Sequence, residues 1–391
     1  MGATPSLAAT AASQAASERS PWYQTDAGAA ASRANLSEKV LTPSTVARVK
    51  HLRSMTEPAS PPGAACGNLS VAAPALVGGD MYAVTGYTVS KYDAATGKLL
   101  WRKTPDKTLD TIYLSLSVSG SGVVVVAGVG CDSVSEPESG FYAYSAASGK
   151  LLWSVTRQSG LDQAVVAQGY VFAAGSGAAD GTFFHVYNLN TGKLVWQNDV
   201  LDCAPENPVP LVVGSLAMLS NCDSQGNVTL EARNLTTGQL AWQQPGAWAL
   251  QRGDFSGAHL FATDPAGAVA ALDPQTGQPQ YTLSQAVNVL AVDNARAYAT
   301  CGSQGRSVCA YNVQTGALEW QKTPGTQAPW RAAEAGGVLY LNSPGVALNA
   351  ATGKKIRTLP IGQATALAVG DGRIAADPSY NVLDLYGLPG Y

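Results

Sequence analysis

The sequence predicts an all-β protein, an eight-bladed β-propeller of four-stranded antiparallel blades. Three observations predict it: a Thr-Gly or Ser-Gly turn that recurs seven times, an aromatic side chain four positions after most of those glycines, and a period of roughly 40 residues built from short strands. The turn glycines are Gly97, Gly149, Gly192, Gly238, Gly277, Gly316 and Gly353. The residues that follow them are Trp101, Trp153, Trp196, Trp242, Tyr281 and Trp320, with Arg357 taking the aromatic place in the last copy. A repeat that fills nearly all of the 391 residues argues for one closed array rather than two or three domains.

Blade 1 supplies the template. Ala73 to Val77 is the inner strand, Gly78-Gly79-Asp80 a turn, Met81 to Thr85 the second strand, Val89 to Tyr92 the third and Leu99 to Lys103 the outer one. Gly, Asp and Asn occupy the turns because those positions need a left-handed backbone or a local side-chain hydrogen bond. The same template gives blades at about 108–157, 158–200, 201–246, 247–285, 286–324 and 325–361. Residues 362–391 hold only three strands: Thr365 to Val369, Arg373 to Ala376 and Asn381 to Tyr386. The missing outer strand has a candidate at the other end of the chain, Val49 to Met55, preceded by a capped turn at Leu41 to Val46. A ring closed this way removes an exposed sheet edge. With that segment free, the ring would have seven blades and a loose tail. The expected organisation is a flexible Ala/Ser-rich leader over 1–40 and a single propeller domain over 41–391.

Charged residues make up 13% of the chain and the formal net charge is -3, so there is no basic field to hold nucleic acid or an anionic membrane. The longest apolar run, Val123 to Val129, is interrupted by Gly128 and falls short of the roughly 20 residues of a transmembrane helix. Six cysteines without a Cys-x-x-Cys pair point to disulfides and to a secreted or extracytoplasmic setting. Residues 1–18 carry no Lys or Arg, so no intact signal peptide is expected in this chain.

Six of the seven turns carry Asp or Asn four residues before the glycine: Asp93, Asn188, Asn234, Asp273, Asn312 and Asn349, with Ser145 the exception. This apolar-Asp/Asn-x-x-Thr-Gly-x-x-x-Trp pattern resembles the pyrroloquinoline-quinone-like (PQQ-like) repeat propellers, and Leu41-Thr42-Pro43 to Val46 looks like their first segment. The resemblance covers roughly 40–391. It implies the propeller fold and two kinds of activity, since the family holds quinoprotein dehydrogenases and non-catalytic scaffolds such as the outer-membrane assembly lipoprotein. The dehydrogenases stack quinone on a disulfide between adjacent cysteines, hold calcium with a carboxylate and an amide, and often carry a Cys-x-x-Cys-His haem segment. This chain has neither adjacent cysteines nor that haem motif. The regular tryptophans are explained by docking each blade on its neighbour.

Strand direction places the outer-to-inner and second-to-third connections on one rim, and the Thr-Gly turns with the inner-to-second turns on the other. All six cysteines fall on the first rim. Cys203 pairs with Cys222 and Cys301 with Cys309 across hairpins, which leaves Cys66 with Cys131. The longest connections share this rim, with Asp132, Glu136 and Glu138 in blade 2 and Asp199, Asp202 and Glu206 at the start of blade 4. Without an Asp-x-Asp loop to fix ligand spacing, no metal site is expected.

Trp248 and Trp330 stand outside the repeat register. Arg252 and Asp254 follow the first, Arg331 and Glu334 the second, and these six residues are the candidate ligand-binding set: aromatics that stack a planar or sugar ligand beside groups that fix it by charge-assisted hydrogen bonds. His51, His185 and His259 fall on three different blades, so no catalytic triad or multi-histidine metal site is expected. The expected function is a secreted, non-catalytic propeller that binds a protein or cell-envelope ligand through the disulfide-bearing rim, with no cofactor. The alternatives are a PQQ- and calcium-dependent alcohol or sugar dehydrogenase and a carbohydrate-binding propeller using Trp248 or Trp330 as glycan platforms.

Overall fold

The computed structural model describes residues 22–389 apart from 59–71, 86, 105–110, 131–138, 158–160, 162, 178–180, 201–209, 223–224, 226, 303, 362–363, 365 and 380. The chain forms eight four-stranded antiparallel sheets arranged as blades, with a short fifth strand added to one of them. Blade 1 consists of Ala75–Val77, Asp80–Thr85, Thr88–Asp93 and Leu99–Lys103, and the six blades after it follow the same inner-to-outer order. Blade 8 is made from both ends of the chain: Leu367–Gly370, Arg373–Ser379 and Val382–Gly387 are completed by Lys50–Thr56, which pairs antiparallel with its third strand, Lys50 opposite Gly387 and Thr56 opposite Val382.

The repeat turn is built from all of its signature residues. In blade 1 the Asp93 carboxylate accepts the Thr96 N–H at 2.6 Å and the Thr96 hydroxyl at 2.7 Å, while the Gly97 N–H closes the turn on the Asp93 carbonyl at 2.7 Å. Asn188 and Asn349 do the same in their blades. Ser145, with its shorter arm, reaches the Ser148 N–H only at 3.4 Å. The glycine has a second reason besides its positive φ. It lies under the tryptophan of the preceding blade: a Cβ on Gly238 would meet Trp196 Cγ at 2.8 Å, and one on Gly192 would meet Trp153 at 2.7 Å.

Each such tryptophan also donates its indole N–H to a backbone carbonyl in the next blade's turn: Trp101 to Ala146 at 3.1 Å, Trp153 to Leu189 at 2.8 Å, Trp196 to Leu235 at 2.7 Å and Trp242 to Pro274 at 2.8 Å. At the seam two arginines replace the ring. Arg357 donates to the carbonyls of Ala47 and Val49, and Arg53 of the closing strand lies over Gly97 and donates to Ala95. Replacing Trp196 by Ala is therefore expected to cost about 2–3 kcal/mol through one half-buried aromatic and one hydrogen bond. Urea unfolding checks this, and a loss below about 0.5 kcal/mol would show that the ring does not bind the blades.

The core lies between blades. Tyr82, Val84, Val89 and Trp101 of blade 1 pack on Tyr113, Leu116, Val124, Val126 and Tyr144 of blade 2, and comparable clusters join the later pairs.

Residues 22–40 correct the expected flexible leader. Trp22 is 1% exposed, and Gln24, Ala31, Ser32, Arg33 and Asn35 are buried. The segment runs inside the channel and meets the inner strand of every blade in turn. Its carbonyls accept the N–H groups of Leu76 (from Trp22), Val118 (Tyr23), Val212 (Ala29), Gly253 (Ala30), Val292 (Ser32) and Glu334 (Arg33). The Gln24 side chain exchanges hydrogen bonds with Val166, and Asn35 donates to Val369. Ala34–Asn35 adds the short parallel strand to blade 7. The physical cause is the inner-strand edge, whose polar groups would otherwise face an open channel. Residues 1–21 lie outside the described residues.

Candidate functional site

The channel segment acts as a plug with a cavity on either side. On the rim of the Thr-Gly turns, a cavity of about 610 Å³ is lined by Tyr23, Gln24, Ser119, Gln168 and Phe255 among others. On the opposite rim, a cavity of about 700 Å³ reaches from Gly302, Gln304, Pro329 and Trp330 at its mouth to Asp26, Arg33 and Arg252 at its floor. Its walls are apolar where Leu250, Val287, Val289 and Leu290 face it. The mouth lies beside the hairpin that carries a disulfide between Cys301 and Cys309, whose Cα atoms are 5.9 Å apart. Cys66, Cys131 and Cys203 lie outside the described residues, as do Asp132, Glu136, Glu138, Asp202 and Glu206. Cys222 ends the second strand of blade 4.

At the floor, Arg33 Nε donates to Asp26 Oδ1 at 2.5 Å, and the Arg33 N–H closes the loop on the Asp26 carbonyl at 3.0 Å. Arg252 donates to the Ala31 carbonyl at 2.7 Å and to Val289 at 2.8 Å, with Asp26 3.5 Å away. Burial alone would raise the Asp26 carboxyl, but the guanidinium groups of Arg33, Arg252 and Arg331 outweigh it and hold that carboxyl well below the usual carboxylate range. Burial and then repulsion from Arg33 lower both Arg252 and Arg331, against the opposing pull of Asp26. The Arg331 guanidinium sits 5.7 Å from the centre of the Trp330 ring, and that ring is 49% exposed.

The six candidate residues separate. Arg252 and Trp330 line the cavity and Arg331 adjoins it. Trp248 packs instead on the cluster between blades 4 and 5, beside Trp242 and Leu250. Asp254 and Glu334 lie at the far end of their inner strands, on the rim of the Thr-Gly turns. Asp254 accepts from Ser256, from the Ala258 N–H and from His259 Nδ1 at 2.8 Å, and Glu334 accepts the Gly337 N–H at 2.9 Å. A strand advances about 3.3 Å per residue, so the six positions from Trp248 to Asp254 and the four from Trp330 to Glu334 carry the acids to the other rim. Burial, with help from Asp293, pushes the Glu334 carboxyl up to about 8, which suits a group buried at a strand end.

Ser256, Asp254 and His259 form no nucleophilic relay. The serine hydroxyl bonds the carboxylate rather than the imidazole, so the histidine is not placed to take its proton. His185 is held between Tyr187 and Asp199, and His51 between Ser54 and Asp384. Among the described residues no three His, Cys, Asp or Glu side chains converge as metal ligands. The donors that the PQQ-like resemblance implies for quinone and calcium do not fit this cavity. Its carboxylate, Asp26, is committed to two guanidinium groups, and the disulfide at its mouth joins cysteines eight residues apart, not neighbours.

Sequence reasoning missed Asp26 and Arg33. The available signal was that they are the only charged residues between 22 and 35, in a stretch otherwise made of Ala, Gly, Ser and a few polar or aromatic residues.

Eight blades stapled by Thr-Gly turns and indole hydrogen bonds define a PQQ-like repeat propeller. The chain belongs to the family described as outer membrane protein assembly factor BamB, which matches residues 24–202, 85–254 and 226–381. No curated protein sequence matches it. Among solved structures it is similar to BamB from Moraxella catarrhalis, at 18% identity and a TM-score of 0.62, covering 88% of this chain and 98% of that one. It is also similar to the quinohemoprotein alcohol dehydrogenase from Comamonas testosteroni, at 14% identity and a TM-score of 0.67, covering 97% and 84%. The computationally designed Ika8 protein gives 17% identity and a TM-score of 0.63 over 85% of this chain and all of that one. At these identities the structural likeness speaks for the fold alone. No helix among the described residues is long and apolar enough to cross a membrane.

Proposed function

We propose that the chain is a non-catalytic binding scaffold of the extracytoplasmic space that engages a protein partner through the disulfide-bearing rim. The observation that carries the reading is the cavity on that rim, with the half-exposed Trp330 at its mouth. Exposed aromatics beside arginine are what protein interfaces use as anchors. Membership in a family of assembly factors agrees with it. The lack of a relay among the described histidines and the misfit of the quinone and calcium donors favour it over the dehydrogenase reading.

Two measurements test it. Purified protein supplied with quinone, calcium and primary alcohols is expected to reduce an electron-accepting dye no faster than buffer, and turnover would overturn the non-catalytic reading. A photocrosslinking residue at position 330 is expected to give a discrete protein adduct in a cell-envelope extract, whereas one at position 152, an exposed leucine on the outer strand of blade 2, is not. Equal labelling from both positions would remove the rim from the interface.

A further inference from the structure

We propose that the cavity on the disulfide rim is a binding site for a small doubly charged oxyanion, a dicarboxylate or a phosphate- or sulfate-type group, held by Arg252 and Arg331 against the Trp330 ring. The charges at the floor do not balance. Among the described residues Arg33 and Arg252 stand at a single carboxylate, Asp26, and Arg331, against Trp330 at the mouth, adds a third positive charge that acts on the same carboxylate, which leaves two positive charges in excess. A cation removed from water without a partner is costly, so a fold that gathers three is poised to take up negative charge.

The three guanidinium groups are not equivalent. Arg33 is bound to Asp26, and Arg252 spends two donors on the carbonyls of Ala31 and Val289. The Arg331 N–H donates to Asn342 Oδ1, while among the described residues its guanidinium makes no hydrogen bond: it lies over the face of Trp330 and feels Asp26 only at longer range. Its planar fork is therefore free to take an oxyanion in two parallel hydrogen bonds, the geometry at which arginine exceeds lysine. The apolar walls lower the local dielectric and strengthen such a contact. About 700 Å³ lies within the range of small-molecule sites, and the channel plug supplies the floor. The inference goes beyond the scaffold reading and does not depend on it, because no protein partner takes part.

Calorimetric titration of the full chain with sodium malonate at low chloride tests it, with sodium sulfate as the inorganic dianion and sodium acetate as the monoanion. Saturable binding of malonate or sulfate at one site per chain is expected, with acetate much weaker. Whichever of the two binds more tightly distinguishes a dicarboxylate from a phosphate- or sulfate-type ligand. Arg331→Gln is expected to weaken the binding about tenfold or more, while melting no lower than the native chain in anion-free buffer because it relieves repulsion from Arg33. Trp330→Ala, a change at a half-exposed ring, is the second variant and is also expected to weaken binding. The absence of saturable binding by either dianion, or equal affinity in both variants and the native chain, would overturn the proposal.

Discussion

Replacing Asp26 by Ala is expected to lower the unfolding free energy by about 3–5 kcal/mol, although the residue lies in a segment whose composition reads as a disordered leader. Asp26 is the carboxylate among three guanidinium groups, and its removal leaves Arg33, Arg252 and Arg331 without a counter-charge inside the channel. Urea is the denaturant of choice, since guanidinium salts would screen the repulsion under test. A residue in a free tail would change stability by no more than about 0.5 kcal/mol, so that result would contradict the channel plug outright. The pH dependence gives a second readout. The Asp26 carboxyl is held below its unfolded value, so its contribution is fully present above roughly pH 4 and is lost as the pH falls through the acid range. The native chain should therefore lose stability on acidification more steeply than Asp26→Ala. An added dianion should restore part of the loss if the cavity binds one.

The propeller was legible because each residue of its repeat has a job visible in the pattern. Asp93 and its counterparts hold the turn, Gly238 and its counterparts make room for the neighbouring ring, and Trp196 and its counterparts reach the next blade. Even the closing strand could be read, because the last thirty residues lacked an outer strand that Lys50–Thr56 supplies. The plug could not be read in the same way. It binds the inner strands mainly through its own carbonyls, which every residue possesses, and so leaves no apolar periodicity behind. Its small residues, which suggest disorder, are what the channel needs: a Cβ on Gly253 would already stand 3.1 Å from that of Ala30. The candidate site was half legible. Trp330 and Arg331 stood out by breaking the repeat register, whereas Asp254 and Glu334 looked adjacent in sequence and ended on the other rim. Arg252 remained in the site because two elements absent from the sequence pattern, Ala31 and Asp26, hold it there.

Replacing Glu57 by Ala is expected to cost a further, independent 3–5 kcal/mol or so, and to open the ring at one seam. Glu57 follows the closing strand of blade 8 and is 1% exposed. Its N–H bonds to the carbonyl of Asn381 in its own blade, while its carboxylate reaches into blade 1. There it accepts the hydroxyls of Thr88 at 3.2 Å, Ser90 at 3.0 Å and Tyr92, and pairs with Arg102 at 3.0 Å. Burial, and next the hydrogen bond to Glu57, push the Tyr92 hydroxyl well above the usual phenol range, which keeps it a donor to that carboxylate around neutral pH. One carboxylate thus fastens the composite blade to its neighbour where the seam has Arg53 in place of a tryptophan. Without it, Arg102 keeps, among the described residues, hydrogen bonds to the hydroxyls of Ser90 and Tyr92, neither of which carries negative charge. A double variant that also replaces Arg102 by Met should recover part of the loss, since it removes the orphaned cation. Amide hydrogen exchange locates the failure. In Glu57→Ala the amides of Lys50–Thr56 should exchange well before those of Leu216–Cys222 in blade 4, whereas uniform loss of protection would mean that the ring opens cooperatively and the seam is not its weak point.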